Sequence, residues 1–205
     1  MPYIEPRIYL ASRSPRRREL LHQIHVNFEV LLFRNPARGE DEVSEAVLPG
    51  EDAQTYVQRV TLAKAEAGVL RVHQRHLRPY PVLAADTTVE LDGVILGKPA
   101  DDAEAADMLA RLSGRTHRVL TAVAVADESR WEHRLSVSEV RFRPLEPGEI
   151  RRYVLTGEPR DKAGAYGIQG RAAMFIEEIR GSYTGIMGLP LFETAQLLKL
   201  FGYPL

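Results

Sequence analysis

Cysteine is absent from the 205 residues, which excludes disulfide scaffolds, Cys-ligated zinc, iron–sulfur clusters and thiol nucleophiles. No apolar run approaches the roughly 20 residues of a membrane helix. Met1 to Glu5 lack the basic-then-apolar order of a secretory signal. An excess of charge is missing as well: 27 Lys+Arg stand against 28 Asp+Glu, a formal net charge of -1. Proteins that coat DNA or RNA are usually globally basic, so neither a nucleic-acid nor a membrane partner is expected. Lysine is scarce. Lys64, Lys98, Lys162 and Lys199 are the only four, against 23 arginines, which makes each lysine conspicuous. Hydrophobic residues at 44% are enough for a substantial core, so a soluble, cytoplasmic protein is expected, as one large domain or as two small lobes around a shared core.

Strand and helix signals alternate along the chain. Ile8 to Ala11 reads as a short strand, and Ser14-Pro15 as an N-cap followed by the first residue of a helix reaching Gln23. Phe28 to Leu32 is a second apolar run, and residues 34–50 form a loop. Tyr56, Val60, Ala63, Ala67 and Leu70 make a helical stripe. Pro81 to Ala85 reads as a buried strand ending at Asp86, and Asp92-Gly93 as a hairpin turn within Val89 to Leu96. Asp101-Asp102 opens a helix that Gly114 closes. His117 to Ala126 and Leu135 to Phe142 read as an antiparallel pair, Glu149 to Leu155 as a short helix, Phe175 to Ile179 as a strand and Leu191 to Phe201 as a closing helix. The pattern predicts an α/β fold with a mixed sheet.

Four segments carry candidate chemistry. Ser12-Arg13-Ser14-Pro15-Arg16-Arg17-Arg18 places three arginines in a first helical turn, against the helix dipole. An anion there reverses the penalty, and backbone N–H groups, serine hydroxyls and guanidinium forks suit a phosphate; a solvated basic turn is the alternative. Asp86-Thr87-Thr88 follows an apolar strand, where a carboxylate can bind Mg²⁺ or take a proton from water, or simply cap a turn. Gly97-Lys98-Pro99 holds a lysine on a stiff segment without the glycine spacing of a P-loop. Asp161 to Gly170 combines three glycines with Asp161, Lys162 and Gln169, and a glutamine amide both donates and accepts, as reading a nucleobase edge requires. The acidic run Glu40-Asp41-Glu42 with Glu45 is a further candidate for a metal or water contact. The six histidines lack metal-site spacing, and His73 and His76 read as an exposed helix end.

Leu10 to Arg17, Ala85-Asp86-Thr87, Leu96 to Pro99, Leu112 to His117, Asp161 to Gly170 and Gly188 to Leu191 occur in this order. Together they resemble the Maf family of nucleoside triphosphate pyrophosphatases over essentially the whole chain, which implies a single domain of that type over 1–205. The resemblance implies an elongated mixed β-sheet with flanking helices in two lobes around a central cleft, as in the inosine-triphosphatase-like fold. It also implies a homodimer, a divalent cation (Mg²⁺ or Mn²⁺), and hydrolysis of a nucleoside triphosphate to the monophosphate and pyrophosphate. Asp86-Thr87-Thr88 and Tyr166 to Gly170 look like the branch acting on dTTP and UTP. The other branch, on 7-methyl-GTP, and a non-enzymatic role in septum formation are the competing expectations. On this resemblance Asp86 is the proton acceptor, and Arg16, Thr87 and Gln169 set substrate specificity. Ser14, Arg17, Lys64, Lys98, Asp161 and Lys162 match further cleft positions, and Asp86 with Glu45 would hold the metal. Lys64, on the same helical side as Val60 and Ala67, is expected to point inward.

Overall fold

The computed structural model describes residues 6–32 and 43–205. The acidic run Glu40-Asp41-Glu42 lies outside the described residues. Strands β1 (Ile8–Leu10), β2 (Phe28–Val30), β3 (Val82–Leu91), β4 (Val94–Leu96), β5 (Thr116–Ala126), β6 (Trp131–Phe142) and β7 (Ile176–Arg180) make one mixed sheet. Its order is β2-β1-β3-β5-β6-β7, with β4 also paired to β3. β1 runs parallel to β2 and β3, while β3, β5, β6 and β7 alternate antiparallel. Among the described residues six α-helices flank it: α1 (Pro15–Gln23), α2 (Ala53–Gln74), α3 (Asp102–Leu112), α4 (Pro147–Val154), α5 (Tyr183–Ile186) and α6 (Leu191–Leu200). The mixed sheet with flanking helices is the architecture expected from the sequence.

Local sequence accounts for most element ends. Ser14 caps α1 through its side chain and Pro15 is the first helical residue. Asp52 Oδ1 accepts from the N–H groups of Gln54 and Thr55 to start α2. Asp92 and Gly93, both with positive φ, turn β3 into β4. The antiparallel partner strand β6 starts at Trp131, earlier than the apolar pattern from Leu135 indicates. Its first residues, Trp131 to Leu135, are exposed or half-buried, yet each of them pairs with β5.

The sheet separates two apolar layers. On one face Val82, Ala84, Ala122 and Ala124 of β3 and β5 pack under the single long helix α2. On the other face Leu83, Ala85, Val89, Val119 and Val123 pack with Leu20, Leu21, Leu109 and Leu197 of α1, α3 and α6. α2 lies unusually close to the sheet at Gly68, where a Cβ would stand 2.6 Å from Val82 Cγ1. A methyl group there would overlap a branched side chain that has no room to move. Lys64 sits four residues earlier, on the same helical face, so the contact at Gly68 sets the height of Lys64 above β3.

The main correction to the sequence reading concerns β3. It does not end at Asp86 but runs on to Leu91, and β5 pairs it from Val82 to Glu90. Its other edge is interrupted. β1 pairs only as far as Leu83, where Leu83 C=O accepts from Ala11 N–H, and β4 begins at Val89. Residues 84–88 therefore lie in a notch, with β5 on one side and, among the described residues, no strand on the other. Backbone groups left without a ladder partner, inside a sheet, are where a ligand can approach closely.

Candidate functional site

Asp86 and Thr87 occupy the middle of the notch, and because successive strand side chains alternate, they project to opposite faces. Asp86 faces α2. Its Oδ1 accepts from Lys64 Nζ at 2.7 Å, and the same ammonium stands 2.6 Å from Glu45 Oε1. Lys98 Nζ approaches Glu45 Oε2 at 3.5 Å. Asp86 is 8% exposed, and the Lys64 side chain 15%, so Lys64 does point inward as its helical position indicates. Four groups from α2, β3, the segment before α2 and the segment after β4 thus meet at one point. Burial pushes the Glu45 carboxyl up, but Lys64 and then Lys98 more than offset this and hold it below its usual range. Tyr56 of α2 fixes the Glu45 backbone by donating its hydroxyl to the carbonyl at 3.1 Å.

Thr87 faces α1. Arg17 Nη2 donates to Thr87 Oγ1 at 3.3 Å, Arg17 Nη1 to Ser12 Oγ at 3.2 Å, and Arg17 Nε to the Gly188 carbonyl at 2.8 Å. The Arg17 backbone N–H is held by Ser14 Oγ. Three of its five N–H donors tie α1 to β3 and to the segment after α5, so this guanidinium braces the fold as well as standing where the sequence pattern places a ligand. Burial lowers the Arg17 pKa, and the nearby Asp86 charge opposes the shift.

Arg16 and Lys162, from distant parts of the chain, are electrostatically linked. Burial first and the Arg16 charge second lower the Lys162 pKa. Two half-buried cations that act on each other carry a mutual repulsion that an anion would remove, although Lys162 Nζ also donates to the Glu158 carbonyl. Lys162 and Asp161, the latter exposed with φ of 63°, begin the glycine-rich segment. Gln169, also in it, is exposed. A residue that sequence reasoning missed holds this segment: Glu158. Its Oε1 accepts from the Tyr153 hydroxyl at 2.9 Å and its Oε2 from Arg171 N–H at 3.0 Å. A Cβ on Gly170 would lie 2.1 Å from Glu158 Oε1, so the glycine admits that carboxylate. A lone glutamate outside any motif gives no signal of this.

His117 and Tyr166 anchor the same segment from below. His117 Nε2 and the Tyr166 hydroxyl are 2.7 Å apart, and His117 is 2% exposed. Among the described residues its Nδ1 has no partner, so a second proton on the ring would have nothing to bind to. Burial depresses the His117 pKa to about 4. A depressed folded-state value means that the unfolded chain takes up the proton first as pH falls. The stabilising contribution is therefore whole above about pH 6.5 and is lost progressively between there and pH 4. Between pH 7 and pH 5 wild type should lose about 2 kcal/mol through this residue. Urea unfolding at both pH values should show a smaller pH dependence in His117→Gln; equal slopes would mean that His117 is protonated as easily folded as unfolded.

Among the described residues no group of three or more His, Asp or Glu side chains is arranged to hold a metal. Asp86 and Glu45, two carboxylates converging on one ammonium, are the available donor pair. Hard oxygen donors fit Mg²⁺ or Mn²⁺, and Mg²⁺ is commonly bound by one or two carboxylates with water and phosphate completing its shell. The residues present fit such an ion.

Comparisons with known proteins bear on the family and the fold. The family model described as Maf-like protein matches residues 7–201. A protein of Aromatoleum aromaticum named dTTP/UTP pyrophosphatase is 68% identical over 206 residues, covering all of both chains. Another of that name, from Dechloromonas aromatica, is 56% identical and covers 96% of this chain and 98% of its own. Among solved structures, the Ham1 protein of Staphylococcus aureus superposes with a TM-score of 0.51 at 14% identity, covering 95% of this chain and 97% of its own; that likeness concerns the fold alone. With a family model spanning nearly its whole length and full-length relatives well above half identical, the chain belongs to the family of Maf-like proteins.

Proposed function

We propose that the protein hydrolyses dTTP and UTP to the nucleoside monophosphate and pyrophosphate, with Asp86 as the proton acceptor. The observation that carries this reading is the convergence of Asp86, Lys64, Glu45 and Lys98 in the notch of β3. The names of the full-length relatives support the substrate class. Water attacks the α-phosphorus, the bond from that phosphorus to the bridging oxygen breaks, and pyrophosphate leaves with the bond's electron pair. The proton of the attacking water goes to Asp86. Lys64 occupies Oδ1, which leaves Oδ2 to receive it and fixes the direction in which the carboxylate points. Lys98, Arg16 and Lys162 hold triphosphate oxygens, where fixed cations stabilise the charge that develops. A divalent ion held by Asp86 and Glu45 would supply further neutralisation of that charge.

Gln169 and Thr87 read the base, and Arg16 contributes to the choice of substrate. Ser14 orders the start of α1, Arg17 braces it against Thr87, and Asp161 flanks Lys162. A homodimer in the cytoplasm belongs to the same reading. The test is pyrophosphate release from the common and methylated triphosphates, with Mg²⁺, with Mn²⁺ and with chelator. Turnover of dTTP and UTP above the rest, dependent on the metal, is expected. Preference for 7-methyl-GTP, or no release from any triphosphate, overturns the reading.

A further inference from the structure

Behind Thr87 lies a second threonine, Thr121, its direct partner across the β3–β5 ladder. Thr121 is 1% exposed. Its Oγ1 lies 2.7 Å from the Gly185 carbonyl oxygen and 3.0 Å from Thr87 Oγ1. A hydroxyl has one proton to donate, and a carbonyl has none. The only arrangement that puts a proton between each close oxygen pair has Thr121 donating to Gly185 and Thr87 donating to Thr121. Thr87 Oγ1 meanwhile accepts from Arg17 Nη2. Its proton is directed into the protein, and what remains for a ligand is a lone pair.

We infer that Thr121 is a positioning residue that fixes the polarity of Thr87, so that Thr87 presents an acceptor and never a donor to the base. The inference rests on the proposed activity on uracil and thymine nucleotides. Those bases have one donor on their pairing edge, the N3–H, between two carbonyl oxygens, so an acceptor-only group has a single partner there. Cytosine carries a bare nitrogen at the same position and would meet the Thr87 lone pair with its own. Without the Thr121 hydroxyl, the Thr87 proton is free to turn outward and donate to cytosine N3. The discrimination then depends on a residue buried behind the site, and it follows from the directionality of two hydroxyl groups.

The experiment measures kcat/KM for UTP and CTP in wild type, Thr121→Val and Thr121→Ser. Valine keeps the shape and removes the hydroxyl; serine restores it. The UTP:CTP ratio should fall about tenfold or more in Thr121→Val and stay near wild type in Thr121→Ser. Loss of structure alone would lower both rates and leave their ratio unchanged, so the ratio separates a polarity role from a packing role. Thr121→Ala, which lacks the hydroxyl without the bulk of valine, gives the same reading if the valine variant does not fold. An unchanged ratio in a folded variant that lacks the hydroxyl overturns the inference while leaving the pyrophosphatase reading intact. A wild type that turns over UTP and CTP alike overturns the inference as well, and one inactive on UTP and dTTP overturns both.

Discussion

Asp86→Asn should lower kcat for UTP by about 10²–10⁴-fold, the usual effect of losing a general base, with little change in KM. Asparagine is nearly isosteric, and its side-chain oxygen can still accept from Lys64, which donates to Asp86 Oδ1 at 2.7 Å in the native site. Lys64 also keeps its second partner, Glu45 at 2.6 Å, so the ammonium is not left unpaired. The lost capacity is the one that matters: an amide cannot take a proton from water at neutral pH. A fall in kcat without a rise in KM marks an interaction made in the transition state. Steady-state pyrophosphate release, with circular dichroism to establish folding, provides the measurement. A folded Asp86→Asn enzyme at near-native kcat would remove Asp86 from the chemistry and shift attention to Glu45, the other carboxylate on the same ammonium.

Gln169→Ala should lower kcat/KM for dTTP and UTP by roughly 10–100-fold, corresponding to one or two hydrogen bonds at tenfold per 1.4 kcal/mol. The glutamine is exposed on the glycine-rich segment, and that segment is tied down independently of it. Glu158 accepts from Tyr153 and from Arg171 N–H, and Tyr166 pairs with His117. Truncating the amide should therefore leave the backbone in place. The comparison is kcat/KM for UTP, CTP and GTP in both proteins. Selective loss on UTP identifies a base-reading group, whereas an equal loss on all three would mean that Gln169 supports the segment and reads nothing. In the proposed reading the two base contacts differ in kind: an amide offers both donor and acceptor, whereas Thr87, with its proton turned to Thr121, offers an acceptor alone.

Signals that act between close neighbours along the chain are legible in the sequence alone. The Ser14-Pro15 start of α1, the Asp92-Gly93 hairpin and the Asp101 cap of α3 come from short-range hydrogen bonding and backbone preference. The inward side of Lys64 follows from helical periodicity, and the order of motifs leads to the family. The length of β3 is not legible in this way, for a physical reason. Polar residues such as Asp86, Thr87 and Thr88 interrupt the apolar pattern of a buried strand, but β5 pairs all three and carries β3 through to Leu91.

Composition and motif order single out the candidate groups: one acid on a buried strand, a few lysines, a basic helix start and a glycine-rich segment. Tertiary structure decided which of them meet and what each has left to offer. Lys64 and Asp86 are joined because Gly68 lets α2 approach Val82, a contact between segments with no mutual signal in sequence. Arg17, one of three successive arginines, is committed to Gly188, Ser12 and Thr87, whereas the charge of Arg16 beside it acts on Lys162. Hydrogen bonds are directional and each hydroxyl proton is donated once. The polarity of Thr87 is therefore fixed by Thr121, 34 residues away, and by Gly185, a further 64 residues along, and only the folded chain brings those atoms together.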